Sequence, residues 1–203
     1  MTTEVTTTEE TKTLVRQAPT SEMEQLQILI DSKSLPSNIK TLEQAFTIAE
    51  FGKNLGMKPM QAFHQIYNIQ GRLALSSKGL GALLWANGIG YKTIQDFELI
   101  AKGTDANGKE IKDRVTTIEF YRGQIKEIAS FYWTDAVKAQ WTTKDNWVKM
   151  PRHMMYARAL SLGAQRIAPD KLLGMYTVEE VMDFAPDKNV VINEEGEITI
   201  LNK

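Results

Sequence analysis

The chain has 203 residues, of which 42% are hydrophobic and 24% are charged, a composition typical of one globular domain. It contains no cysteine, which excludes disulfides and thiolate sites for metals or nucleophiles. The net charge is only −1, but acids are concentrated at both ends, which leaves the middle of the chain clearly basic.

The first 20 residues are predicted to form a disordered acidic tail. They are rich in Thr and Glu without apolar periodicity, so they cannot bury enough apolar surface to offset the entropy lost on ordering. They lack the basic and apolar regions of a signal peptide. No window approaches the ~18 apolar residues of a membrane helix. We therefore expect no membrane contact and a cytoplasmic location.

From Ser21 the apolar spacing becomes helical, and the first predicted helix ends before Pro36. A second helix is predicted from Thr41, a suitable N-cap, to Gly56, a suitable C-terminal glycine. Apolar and polar residues then alternate on both sides of Gln70-Gly71, a pattern that indicates a β-hairpin.

The middle of the chain is predicted to be a helix followed by a meander of strands. The helix KGLGALLWANG begins after Ser76 or Ser77 and ends at Gly88. The strands YKTIQDFELI and RVTTIEFYRG are separated by a polar loop, AKGTDANGKEIKD, and a third extended segment, KEIASFYW, follows. Thr134 is expected to cap a short helix, DAVKAQW.

The C-terminal third is predicted to be mainly helical. Pro151 suits the first turn of a long helix that reaches Ala168, and Thr177 with Glu180 forms a capping box for another. Residues 186–203 are expected to be an acidic tail or a small hairpin around Glu195-Gly196. The predicted fold class is α+β: a small antiparallel sheet, hairpin plus meander, packed with several helices in one core domain, residues 21–185.

The predicted long helix and its flanks, NWVKMPRHMMYARALSLGAQRIAPDK, gather five cations: Lys149, Arg152, Arg158, Arg166 and Lys171. At 100° per residue, Arg158 and Arg166 lie at about 240° and 320° from Arg152, and a mostly apolar face lies at about 60–200°. The pattern predicts three guanidinium groups on the solvent side, with Met155 and Leu162 between them. Arginine forks match phosphate oxygens, which favours a nucleic-acid backbone as the ligand.

Other interpretations stay open. The arginines can instead form ion pairs with the acidic end segments, as in a protein-interaction module. A basic helix also suits a sequence-specific regulator that reads a DNA major groove, although no helix-turn-helix pair is evident. Asp96 and Glu119 leave a metal-dependent nuclease open, without the convergent carboxylates that such a site needs. GLGALLWANGIG lacks the third glycine of a dinucleotide motif, and no phosphate-binding G-x-x-x-x-G-K-[ST] is present.

The basic segment resembles the RecT/Red-beta family of phage single-strand annealing proteins. Their pattern W-x-x-x-P-[KR]-x-M-x-x-x-R-A and the downstream proline-aspartate and G-x-Y-x-x-[ED]-E turns fall on Trp147, Pro151, Arg152, Met154, Arg158, Ala159, Pro169, Asp170, Gly174, Tyr176, Glu179 and Glu180. The upstream segment GMKPMQAFHQIYNIQGRLALSSKGLGALLWANG is similar to that family's helix, hairpin and helix. The resemblance spans about residues 40–185, but SLGAQ replaces the extra basic residues that many relatives carry in the helix.

The resemblance implies a non-enzymatic, ATP-independent protein that binds single-stranded DNA and anneals complementary strands in phage recombination within a bacterial cell. It implies rings or filaments of several copies, and a phage exonuclease or a host single-strand-binding protein as candidate partners. No cofactor is expected, with magnesium only as a counter-ion of the DNA.

The candidate DNA-binding residues divide by predicted role. Three arginines are predicted to clamp the phosphate backbone, with lysines beside them: Arg152, Arg158, Arg166, Lys149, Lys144 and Lys171. A second wall of the groove is predicted around the hairpin and the following helix, from Arg72 and Lys78. Two aromatic residues either stack on bases or pack in the core: Trp147 and Tyr156.

Overall fold

The computed structural model describes residues 21–184, 190–192 and 198–200. Their helices are α1 (Glu22–Asp31), α2 (Leu42–Asn54), α3 (Pro59–Gln65), α4 (Ser77–Ala86), α5 (Trp133–Lys138), α6 (Asp145–Lys149), α7 (Pro151–Ile167), α8 (Pro169–Leu172) and α9 (Val178–Phe184). Their strands are β1 (Ile66–Ile69), β2 (Arg72–Leu75), β3 (Gly90–Thr104), β4 (Glu110–Arg122), β5 (Ile125–Tyr132), β6 (Tyr176–Thr177), β7 (Val190–Ile192) and β8 (Ile198–Ile200). The predicted tail of residues 1–20 lies outside the described residues.

The strands form two three-stranded sheets, in the orders β1-β2-β6 and β3-β4-β5, and an antiparallel pair, β7-β8. The predicted α+β class is confirmed. Among the described strands only β6 pairs in parallel, with β2, and its length of two residues was too short to predict. The strands β7 and β8 fit the hairpin interpretation of the C-terminal segment, and the predicted turn at Glu195-Gly196 lies outside the described residues.

The turn and cap signals predicted from the sequence are largely confirmed. Thr41 caps α2 as predicted, with a capping box, and the Ser76 hydroxyl accepts the Gly79 N–H at 2.9 Å. Ser21, which was predicted only as the place where helical spacing begins, also forms a capping box at the start of α1. At the β1-β2 turn, Gln70 and Gly71 have φ of 52° and 81°, the left-handed pair that a two-residue hairpin needs.

The predicted 13-residue loop between β3 and β4 is wrong. Strand β3 continues to Thr104 and β4 begins at Glu110, so only a tight turn joins them. In that turn, one carboxylate oxygen of Asp105 accepts the N–H groups of Asn107 and Lys109, each at 2.9 Å. This part of the hairpin extends beyond β5 and is mostly exposed, so polar residues occupy both faces and the apolar alternation of a strand is missing.

Helix α6 was not predicted, helix α3 was expected only through the family-like order of helix, hairpin and helix, and Thr134 does not cap α5. The N-cap of α5 is Tyr132, and the Thr134 hydroxyl instead donates to Asp113 at 2.6 Å. Helix α6 has only five residues, yet it inserts Trp147, which is fully buried, between the rings of Phe131, Trp133 and Trp141. Tertiary packing rather than local periodicity therefore stabilises this short helix.

Helix α7 lies across the β3-β4-β5 sheet and contacts α4 and α9 as well. Its Gly163 lies directly over Phe120, which is fully buried: a Cβ at Gly163 would lie 2.0 Å from the phenyl ring. The departure SLGAQ therefore includes the small residue that brings the helix close to the sheet. None of the helices among the described residues is both long and apolar enough to cross a membrane.

We predict that Gly163→Ala destabilises the fold by about 1–3 kcal/mol, because the added methyl group collides with a ring that cannot move away. Urea unfolding midpoints would measure the loss. In a Phe120→Leu background the same substitution should cost clearly less. Equal costs in the two backgrounds would contradict this packing.

Asp113 is buried and accepts hydrogen bonds from Lys102 and Thr134. Burial alone would raise the pKa of this carboxyl, but the hydrogen bonds lower it below its ordinary value. The stability gained from the folded carboxylate is therefore present above about pH 4 and is lost as the pH falls through the lowered pKa. Asp113→Asn should cost about 1–3 kcal/mol at pH 7.

The difference in unfolding free energy between Asp113→Asn and the unsubstituted chain should shrink below about pH 4. Denaturant titrations at several pH values would measure it, with Asp145→Asn, an exposed acid, as the control. A difference that stays constant or grows in acid would contradict the predicted sign.

Candidate nucleic-acid interface

Helix α7 is buried nearly all round, contrary to the predicted solvent-facing stripe. Met155, expected between exposed arginines, is fully buried and Leu162 is half-buried. Among the residues of α7, only Arg152, Gln165 and Arg166 are exposed. The apolar face packs into the core as predicted, but the opposite face is covered as well, since Arg158 pairs with Asp183 of α9 and Met155 packs in one cluster with Trp147 of α6. A helical projection treats one helix in isolation, so it cannot predict which other elements pack on its polar face.

Arg158 is not a solvent-side phosphate clamp, and that prediction is wrong. It is 8% exposed, and its Nε and one terminal nitrogen donate to the Asp183 carboxylate at 2.9 and 2.5 Å. A Glu180 oxygen lies 3.6 Å from another terminal nitrogen, and the guanidinium lies 4.0 Å from the centre of the Trp141 ring. For Arg158, the alternative of an ion pair with the acidic C-terminal segment is confirmed.

Trp147 also contacts Asp183. Its indole N–H donates to the second carboxylate oxygen at 2.7 Å, and the side chain is fully buried, so it packs in the core and has no free face for a base. Lys144 donates to the Asp183 backbone carbonyl. Burial raises the pKa of Asp183, against the opposing effects of Arg158 and Trp147. The Trp and second Arg of the family-like motif thus converge on one carboxylate.

Arg152 differs sharply from Arg158 because its side chain is 69% exposed. Its Nε and one terminal nitrogen donate to one oxygen of Asp96, at 3.1 and 2.5 Å, and the Asp96 side chain is itself 39% exposed. Lys149 is similarly exposed and pairs with Asp145 one helical turn away, at 2.8 Å. Exposed ion pairs of this kind contribute little to stability and are easily replaced by other partners.

Arg152 and Lys149 border an open groove of about 390 Å³ at the start of α7. We call this the α7 groove, and its lining residues are Asp96, Lys149, Met150, Pro151, Arg152, His153 and Tyr156. Tyr156 is half-buried and packs against the core, and burial raises the pKa of its hydroxyl. Tyr156 therefore packs against the core as one of its two predicted roles, and it also lines the groove, whereas its stacking on bases stays a prediction.

His153 connects the α7 groove to α9. Its Nε2 lies 3.2 Å from one oxygen of Glu179, whose side chain is fully buried. The other Glu179 oxygen has no hydrogen-bond partner in the part of the chain that the structure describes. Glu179, Glu180 and Asp183, which the charge pattern assigned to an acidic end segment, therefore form the buried contact surface of α9.

The remaining candidate cations do not line the α7 groove. Arg166 is 53% exposed and donates to Glu127 of β5 at 3.1 Å; 14 residues separate it from Arg152, about 21 Å along the helix. Lys171 lies 3.8 Å from Asp170, which is also held by a two-pronged contact from Arg122 at 2.6 and 2.8 Å. Two further exposed cations lie on β2 and on the first turn of α4: Arg72 and Lys78.

The acids considered for a nuclease are already engaged. Asp96 pairs with Arg152, and Glu119 accepts from Lys126 and Tyr121. Within residues 21–184 and the two short C-terminal strands, no group of three or more His, Asp or Glu side chains is placed to hold a metal ion.

We predict that Asp183→Asn destabilises the fold by about 2–5 kcal/mol, because it leaves the buried Arg158 without its main counter-charge. Asp145→Asn, which removes an acid from an exposed pair, should change stability by less than about 0.5 kcal/mol. Urea unfolding of both variants would measure the difference. Similar midpoints for the two variants would contradict a structural role for the buried carboxylate.

Comparisons with protein-family models, with curated proteins and with solved structures find no match to this chain. The resemblance to single-strand annealing proteins therefore stays a prediction from the motif residues, two of which, Trp147 and Arg158, converge on Asp183.

Proposed function

We propose that this protein binds single-stranded DNA and anneals complementary strands without a nucleotide cofactor. The observation that carries the proposal is the α7 groove, where the exposed cations Arg152 and Lys149 lie beside the half-buried ring of Tyr156. The family-like motif supports the same function, because its first arginine is the exposed Arg152.

The groove suits a polyanion that is recognised by charge rather than by sequence. Cationic side chains neutralise phosphates and release counter-ions from the strand, which makes affinity depend strongly on salt. Both cations are held by exposed acids, Asp96 and Asp145, which leave their donors accessible to a competing phosphate. Arg166, about 21 Å away at the far end of α7, is proposed as a second contact to the same DNA strand.

Annealing without fuel needs a surface that orders one strand while leaving its bases free. A strand held by its phosphates loses less entropy when it pairs with a second strand, and duplex stacking of ~1.4 kcal/mol per step then drives the reaction. The proposal includes assembly of several copies along the DNA. A phage exonuclease or a host single-strand-binding protein is the proposed partner class.

The burial of α7 disfavours the regulator alternative. A recognition helix must enter the major groove with one face free, whereas strands β3–β5 and helices α4 and α9 all contact α7. A strong preference for one duplex sequence over random single strands would nevertheless favour the regulator and count against annealing.

We predict that Arg152→Ala combined with Lys149→Ala slows the annealing of two complementary oligonucleotides in the absence of nucleotide. It should also reduce the slope of log affinity against log salt by about two units at most, because two phosphate contacts are lost. Fluorescence anisotropy with a labelled single strand would measure affinity, and a quenching assay would measure annealing.

The control is Lys40→Ala combined with Lys53→Ala, which removes two exposed lysines outside the α7 groove. It should leave the salt slope and the annealing rate close to those of the unsubstituted chain. Equal losses in the two double variants would point to a general effect of net charge and would argue against a binding site at the groove.

A further inference from the structure

Asp96 lies where a phosphate oxygen would bind Arg152. Two N–H donors of the guanidinium converge on one carboxylate oxygen, at 3.1 and 2.5 Å. A phosphodiester oxygen accepts the same pair of donors with similar geometry. The contact spans the α7 groove, since Asp96 comes from β3 and Arg152 from the first turn of α7.

The backbone of β3 is distorted at this position. The pairing of β3 with β4 shifts register between Gln95 and Glu98, and Phe97 adopts a left-handed φ of 57°. The Phe97 N–H donates to the Thr116 hydroxyl, and its carbonyl accepts from Arg114, both at 3.1 Å. Such bulges re-aim side chains, and a left-handed non-glycine residue persists only where its surroundings hold it. The position of Asp96 is therefore fixed by the backbone.

We propose that Asp96 is an internal competitor for nucleic-acid phosphate: its carboxylate occupies Arg152 until a phosphodiester group of single-stranded DNA replaces it. This inference rests on the proposed function and identifies the phosphate subsite within the α7 groove. The Asp96 carboxylate and the phosphodiester group exchange on the same guanidinium, so Arg152 has an anionic partner both before the DNA binds and after it leaves.

The exchange has a physical consequence for annealing. A competing carboxylate lowers the affinity of the subsite for phosphate and speeds the release of a bound strand. The same arrangement recurs at the far end of α7, where the exposed Arg166 pairs with Glu127 of β5. Asp96 and Glu127 are both partly exposed, so replacing either acid by a phosphate breaks no buried network of ion pairs.

The test is Asp96→Asn, which keeps the shape of the side chain and removes its charge. Binding of a fluorescent oligothymidylate at low salt should become about threefold to tenfold tighter, and the gain should shrink at high salt because exposed charges are then screened. The matched control is Glu50→Gln. Glu50 is also 39% exposed and pairs with an exposed cation, Lys53, but it lies on α2 outside the groove.

A double-mutant cycle with Arg152→Ala distinguishes competition for Arg152 from a general effect of charge. If Asp96 acts by occupying Arg152, the gain disappears in the Arg152→Ala background. A gain that persists there, an equal gain from Glu50→Gln, or no gain from Asp96→Asn in a chain that binds DNA would overturn this inference alone. If neither the unsubstituted chain nor Asp96→Asn binds, the proposed function fails with it.

Discussion

The carboxylate of Asp183 holds together the C-terminal half of the fold. One of its oxygens accepts from Arg158 and the other from Trp147, so a single buried group joins α9 to α7 and α6. Removing one partner from such a network leaves an uncompensated buried charge or donor, which is far more costly than losing an exposed pair. Helix α9 thereby helps to bury Arg158 in the middle of α7, whereas Arg152 in the first turn of that helix stays exposed.

This arrangement divides the cations of the basic segment into two kinds. Arg158 is buried with acids on α9 and serves the structure, whereas Arg152 and Lys149 are exposed and paired with acids that a polyanion can displace. The charged residues that are concentrated along the chain therefore have two roles. Some of them form a buried ion pair, and the others remain at the surface, where their charge steers and holds an anionic ligand.

Local signals were predictable from the sequence because their cause is local. The capping residues, the left-handed hairpin turn at Gln70-Gly71 and the start of α7 at Pro151 each follow from a few neighbouring residues. Helix α6 and strand β6 were missed because long-range contacts determine them. The role of Arg158 was mispredicted for the same reason. Periodicity separated the apolar face of α7 from its polar face, but it could not show that Asp183, 25 residues later in the chain, pairs with Arg158 on the polar face.

The most direct test of the exposed groove as the DNA contact is lysine footprinting by acetylation, with and without single-stranded DNA. Lys149 and Lys53 are matched probes, since their side chains are 64% and 65% exposed and each pairs with one acid on its own helix. We expect DNA to protect Lys149 from acetylation while Lys53 stays equally reactive. Unchanged reactivity of Lys149 under conditions where the DNA is bound would contradict a binding site at the start of α7.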